Sequence, residues 1–239
     1  MTLFQDFDTS LQEKYRPHIN KWAAEFSTTE LKALDKVFEK VEDVRKRGTI
    51  VYPNADDTLR IYRELDFAKI KVVIIAQDPY HDGNANGIAF ACKNKTSKSL
   101  EQIINAIMVN YPHDSVSPDS DKSLQYLVDQ GVFLMNTVLT VEKGHPNSHA
   151  DMGWQAFTKA TVEIIARKSI NVVWLLWGKP AQEYEAVIKK ATWFPESHII
   201  LKAEHPAAAA RANRIWKTNC FREANLFLET FNYTPIKWI

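Results

Sequence analysis

Four short apolar runs constrain this chain more than any other feature of its sequence: 71–76 (KVVIIA), 132–135 (VFLM), 172–177 (VVWLLW) and 198–203 (HIILKA). They are rich in β-branched residues and show no apolar–polar alternation, which is the pattern of strands covered on both faces. Between them lie stretches with helical spacing at 99–108, 123–128, 153–166 and 181–190. Alternating strand and helix predicts an α/β fold: a central four-stranded parallel sheet with right-handed crossovers, flanked by helices. Ahead of the first run, Leu31, Leu34, Val37, Phe38 and Val41 recur at helix spacing behind the capping signal Thr28-Thr29-Glu30. A helical N-terminal segment over about 1–48 is therefore expected to pack against the sheet. With no repeat, low-complexity tract or linker rich in Gly, Ser or Pro, the chain reads as a single domain, 1–239.

Composition removes whole classes. With 45% hydrophobic and 25% charged residues over 239 positions, the chain is neither disordered nor fibrous. No apolar stretch approaches the length of about 20 residues that spans a bilayer, so no membrane partner is expected. The start, Met1-Thr-Leu-Phe-Gln-Asp-Phe-Asp8, has neither a secretory nor a transit layout. The expected location is where the protein is made, a cytoplasm in a bacterial or virally encoded setting, or a nucleus in a eukaryotic or viral one. Cys92 and Cys220 are too few for a disulfide framework and are not spaced as metal ligands, so free thiols are expected. The net charge of +1 argues against a globally basic nucleic-acid coat, although a local strip is compatible with it. Two such groups exist, Lys93, Lys95 and Lys98 in one polar loop, and Arg211, Arg214 and Lys217 after His205.

The residues just beyond each apolar run are the most telling. Gln77-Asp78-Pro79-Tyr80-His81 comes after the first run, Asn136-Thr137 after the second, Gly178-Lys179-Pro180 after the third and Glu204-His205-Pro206 after the fourth. Ligands of open parallel sheets bind beyond the carboxyl ends of the strands, so one pocket shared by Asp78, Asn136 and His205 is expected. These residues offer no serine or cysteine nucleophile with a base, no metal-ligand spacing and no Gly-rich phosphate loop. No metal or cofactor is called for. A planar ligand suits them: Phe90 can stack, the Asn136 amide can pair with an edge, His205 can donate to a developing oxyanion, and Asp78 can face a cation.

These residues, with their neighbours, resemble a known family. Gln77-Asp-Pro-Tyr-His81, Gly87-Ile-Ala-Phe90, Leu134-Met-Asn-Thr-Val-Leu-Thr140, Ser148-His-Ala-Asp-Met-Gly-Trp154, Trp177-Gly-Lys-Pro-Ala-Gln182 and His205-Pro206 are similar, in order, to the motifs of the family 1 uracil-DNA glycosylases. The similarity runs from Tyr52-Pro53 to Thr234-Pro-Ile-Lys-Trp238. The resemblance implies a monofunctional base-excision enzyme, a monomer acting on uracil-containing DNA, single- and double-stranded, without cofactor, and with protein inhibitors of the family as candidate partners. It casts Asp78 as the carboxylate that stabilises the sugar cation and orients water, and His205 as the donor to uracil O2. Asn136 matches the reader of the uracil edge, Tyr80 the ring that blocks a 5-methyl group, Phe90 the stacking platform, and Gln77 a pocket residue binding through its backbone. Ser99 and His149 match positions on the DNA side.

The chain also departs from the family. Where Ser-Pro-Leu-Ser usually comes after the catalytic His-Pro, with a leucine that wedges into the duplex, this chain has Ala207-Ala208-Ala209-Ala210. The wedge position, Ala209, lacks a side chain to insert, which implies a stronger preference for single-stranded substrate. The alanines favour helix and are expected to extend it through 211–216, with Arg211, Arg214 or Trp216 as substitute contacts. Ser97-Lys98-Ser99-Leu100 stands in place of Pro-Pro-Ser-Leu, which implies a looser phosphate clamp, and Ala76 stands in place of a Gly. Two other readings stay open on the sequence: a DNA-binding or scaffold protein with weak or no glycosylase activity, and a glycosylase for other damaged bases.

Overall fold

The computed structural model describes residues 9–112 and 122–238. Two helices, α1 (Thr9–Ile19) and α2 (Thr28–Lys46), precede β1 (Val51–Tyr52), α3 (Arg60–Glu64) and β2 (Val72–Ala76). The middle of the chain forms α4 (Lys98–Asn110), α5 (Gln125–Val128), β3 (Val132–Asn136), β4 (Val141–Glu142) and α6 (Trp154–Lys168). It closes with β5 (Val172–Trp177), α7 (Lys179–Gln182), α8 (Tyr184–Ala191), β6 (His198–Ala203), α9 (Pro206–Arg211) and α10 (Cys220–Thr230).

The four apolar runs become β2, β3, β5 and β6, which form one sheet in the order β3-β2-β5-β6 with every pairing parallel. All residues of β2, β3 and β5 are buried, as strands without alternation should be. A second, antiparallel pair, β1 with β4, is not foreshadowed by the sequence, because two-residue strands carry no readable period.

The expected N-terminal helices are present from Thr9 onward, and residues 1–8, including the start that lacks a targeting layout, lie outside the described residues. The cap of α2 stands one residue ahead of the Thr28-Thr29-Glu30 signal. Ser27 is the N-cap, and the Glu30 carboxylate reaches back to the Ser27 backbone N–H at 2.6 Å, closing a capping box. Leu31, Leu34, Val37 and Val41 of this helix are buried. Trp22, between α1 and α2, packs 5.2 Å from Phe133 of β3 and donates to the Leu65 carbonyl at 2.9 Å, which fastens this layer to the sheet. In place of one helix over 181–190, α7 starts at Lys179 with Pro180 in its first turn and α8 restarts at Tyr184. Trp154, Trp174 and Trp177 are core residues.

The loop from Gly87 to Phe90 is locked by close backbone approach. Gly87 has φ +87°, and a Cβ there would lie 2.0 Å from the Asp57 carbonyl oxygen. Gly48 shares that φ but faces open space. Gly87→Ala is expected to destabilise by about 3 kcal/mol or more, through strain plus clash. Gly48→Ala, which meets only the backbone penalty, is expected to cost about 1 kcal/mol. Urea unfolding of the two variants checks the difference.

Candidate active site

The parallel sheet delivers the predicted residues to one rim. Ala76 pairs with Asn136 across β2 and β3, and the ladder continues outward as Thr137 donates to the Ala76 carbonyl (3.0 Å) and Val138 to that of Gln77 (2.9 Å). A cleft of about 330 Å³ opens there, and Asp78, Tyr80, Phe90, Asn136 and His205 all line it. Gln77, Ser99 and Arg211 line it as well. Larger hollows beside α1 and α2 and around Gly131, of about 460 and 540 Å³, hold none of these residues.

Each side chain is held by a different device. Asp78 Oδ2 accepts the backbone N–H of Asn147 at 2.8 Å, and Asn147 sits at φ +60°, a conformation asparagine tolerates better than most residues. The loop carrying Asn147 is tied to the pentad by the Gly144 N–H, which donates to the His81 carbonyl at 2.9 Å. Burial pushes the Asp78 carboxyl above the ordinary carboxylate range, against the opposing pull of the Asn147 N–H and His81. Asn136 is 8% exposed, and its Oδ1 is buried without a hydrogen-bond partner among the described residues. A buried amide oxygen left open costs about 1–3 kcal/mol, so it stands ready for a donor.

His205 is the N-cap of α9, where its Nδ1 accepts the Ala207 N–H at 3.1 Å. That bond requires an unprotonated Nδ1, so the neutral ring carries its proton on Nε2. Burial, and after it the Arg211 charge, holds its pKa below the usual histidine range. Gly178 (φ +85°) permits this placement, since a Cβ there would come within 2.9 Å of the His205 Cβ.

Phe90 is 6% exposed at φ +64°, its ring 5.5 Å from Trp177 and 5.8 Å from His205. Buried Asn84 and Asn86 brace the approach to it through loop backbone, as when Asn86 Oδ1 accepts the Ile88 N–H at 3.0 Å. The Ala89 N–H reaches the Leu134 carbonyl at 3.1 Å. Tyr80 shares a 2.6 Å hydrogen bond with Ser97 Oγ, and burial drives its phenol far above its usual range.

Of the expected DNA-facing residues, Ser99 and Arg211 line the cleft and the others stand elsewhere. His149 is fully buried, with its Nδ1 2.7 Å from Thr140 Oγ1 and its Nε2 facing Glu142. Ala209 is also fully buried, because the four alanines form α9, which packs against α4. That helix ends at Arg211 and does not run on through 216, since the chain turns at Asn213 with φ +49°. Trp216 is 1% exposed and donates to the Glu204 carbonyl at 3.0 Å, which excludes it as a wedge. Arg214 is ion-paired with Glu204 and does not line the cleft. Ser97 caps α4 by accepting the Leu100 N–H at 3.1 Å. Sequence pattern does not single out Asn147, Ser97 or Gly178 for these roles. For Asn147 the available signal is a turn-prone Pro-Asn-Ser segment that leads into the family motif starting at Ser148.

In this cleft a carboxylate, an amide edge and a neutral imidazole surround a flat aromatic ring at the carboxyl rim of a parallel sheet. The chain belongs to the uracil-DNA glycosylase superfamily, whose sequence profile matches residues 63–229. It is 37% identical over 207 residues to the uracil-DNA glycosylase of Idiomarina loihiensis, covering 85% of this chain and 92% of that one. It is 35% identical over 204 residues to that of Escherichia coli O157:H7, covering 84% and 86%. In shape it is similar to mimivirus uracil-DNA glycosylase, with a TM-score of 0.73 at 20% identity over 95% of this chain and 92% of that one. A variant of the mimivirus protein in complex with UGI gives a TM-score of 0.80 at 22% identity, over 92% and 88%.

The electrostatics of Asp78 carry a stability consequence. Its folded pKa is raised, so the ionised carboxylate costs stability at neutral pH, and the cost fades as pH falls through the folded pKa. His205, with a lowered folded pKa, acts oppositely, because its stability is present at neutral pH and lost on acidification. Asp78→Asn, which keeps an acceptor for Asn147, is expected to raise the urea midpoint at pH 7 and to lose that advantage below the carboxylate range. Unfolding curves of the variant and wild type across that range check the sign.

Proposed function

We propose that this chain hydrolyses the N-glycosidic bond of deoxyuridine in DNA, releasing uracil and leaving an abasic site. The observation that carries this reading is the buried, unpartnered Asn136 Oδ1, set on the same sheet rim as the Asp78 carboxylate and the His205 ring. Such a cleft admits a nucleotide only when it is turned out of the stack or already unpaired. Phe90 then supports the base. Asn136 accepts N3–H and donates to O4, a pattern that cytosine reverses, leaving buried groups unpaired; mismatches of that kind are rejected by about 10⁴ or more. The Tyr80 ring excludes the methyl group of thymine.

The glycosidic bond breaks with its electron pair leaving on uracil, so negative charge grows at O2 and positive charge on the sugar. His205 meets the first through its Nε2–H, without needing to transfer a proton. The Asp78 carboxylate meets the second and orients a water, whose oxygen bonds to the sugar carbon as its proton is released. Both roles require the protonation states that hold above the acid range, ionised Asp78 and neutral His205. Activity therefore falls as pH drops, and Tyr80, with its pKa raised, adds no alkaline limb near neutrality.

Strand preference is tied to α9. A buried Ala209 supplies no wedge, so single-stranded substrate is preferred over duplex, while Arg211 at the cleft rim and Ser99 at the start of α4 hold the flanking phosphates. Action on DNA implies a cytoplasm or a nucleus as its setting, the protein acts as a monomer, and a protein inhibitor of the family fits over the same cleft. The expected result is release of free uracil from single-stranded oligonucleotides faster than from duplex. Asp78→Asn and His205→Ala are expected to lower kcat by about 10²–10⁴. Chromatographic assay of the released base decides the matter: absence of uracil release by wild type favours a DNA-binding scaffold, and equal or faster turnover on duplex overturns the strand preference.

A further inference from the structure

We infer that Ser97 is a positioning residue for the choice of uracil, its hydroxyl holding the Tyr80 ring where a 5-methyl group would have to sit. This rests on the reading of Tyr80 under Proposed function and adds the part that makes its exclusion effective. A tyrosine ring set on a loop after Pro79 excludes a methyl group only if the ring cannot swing away. A methyl group is a small difference, and a mobile ring would yield to it.

Two hydrogen bonds fix the ring's far end, and they differ in quality. The contact from the Tyr80 hydroxyl to the Phe90 carbonyl is long, 3.4 Å, whereas that with Ser97 Oγ is 2.6 Å. Weak geometry makes the first a poor restraint, so Ser97 carries the hold. Ser97 is itself immobilised. As N-cap of α4 its Oγ accepts the Leu100 N–H at 3.1 Å, and α4 is anchored by buried Leu100, Ile103, Ala106 and Ile107. Tyr80 is therefore braced against a thirteen-residue helix that is not part of its own strand. A proline at position 97, as in the Pro-Pro-Ser-Leu pattern of the family, has no hydroxyl and offers no such brace. Ser99, two residues further along the same helix, lines the cleft, so the brace of the base-excluding ring and a residue facing the DNA strand belong to one rigid element.

The test separates brace from cap. Glycine is nearly as good an N-cap as serine but has no hydroxyl, and threonine keeps both functions. Single-stranded oligonucleotides carrying uracil or thymine at one site are assayed for base release at enzyme excess. Ser97→Gly and Tyr80→Phe are each expected to reduce the uracil-over-thymine ratio of kcat/KM by about ten-fold, the equivalent of one hydrogen bond. The double variant is expected to fall no further than either single one, and Ser97→Thr to retain the wild-type ratio. Thymine release that stays undetectable in Ser97→Gly and Tyr80→Phe, equal losses on both substrates, or additive effects in the double variant would each overturn the inference. A wild type that releases no uracil would instead overturn the functional reading beneath it, a distinct result.

Discussion

The register between β2 and β3 is the constraint on which the site depends. Ala76 faces Asn136 at the last rung, and two further hydrogen bonds carry the pairing out to Val138. Because side chains alternate between faces, a slip by one residue would turn Asn136 away from the cleft and bring Thr137 into its place. Both strands are buried throughout, so a slip would have to repack the particular side chains on both faces of the sheet. The same logic holds across the sheet. Trp177 is level with Ala203, which sets His205 just beyond the rim on which Asp78 emerges. Parallel direction is what lets three distant segments share that rim.

Beneath the rim, aromatic packing converts strand positions into a fixed platform. Phe90 adopts a left-handed backbone that costs a non-glycine residue about 1 kcal/mol, and it leans on Trp177. Trp177 meets Trp216 edge-on at 4.9 Å and Phe221 at 5.9 Å, and Phe221 meets Trp238 at 5.0 Å. The chain of rings ties the platform to the C-terminal segment. Large rigid groups of this kind support unfavourable features nearby, here an open amide oxygen on Asn136 and a half-buried carboxylate on Asp78. Stability is concentrated in the core, and the site draws on it.

Much of this is legible in the sequence, for identifiable reasons. β2, β3, β5 and β6 are readable because buried parallel strands are continuous apolar runs, and Asp78, Asn136 and His205 are readable because they stand where those runs stop. The pair β1 and β4 and the division of α7 from α8 leave no periodic trace. Asn147 acts through a backbone N–H, Gly178 through an absent Cβ, and Ser97 through a partner on another element, none of which sequence pattern encodes. His149 and Ala209 are both buried for one shared reason. Position along the chain puts both near the site, but the orientation of His149 toward Thr140 and of Ala209 toward the interior is decided by tertiary packing.

The cap at the start of α9 joins folding to chemistry in a single ring. His205 Nδ1 receives the Ala207 N–H only while it carries no proton of its own. An acid that protonates the imidazole therefore breaks the helix cap at the same moment as it changes the group presented to the ligand. The ¹⁵N shifts of this one side chain report on both events, and a six-residue helix with four alanines becomes the molecule's internal gauge of whether its reactive histidine is in working order.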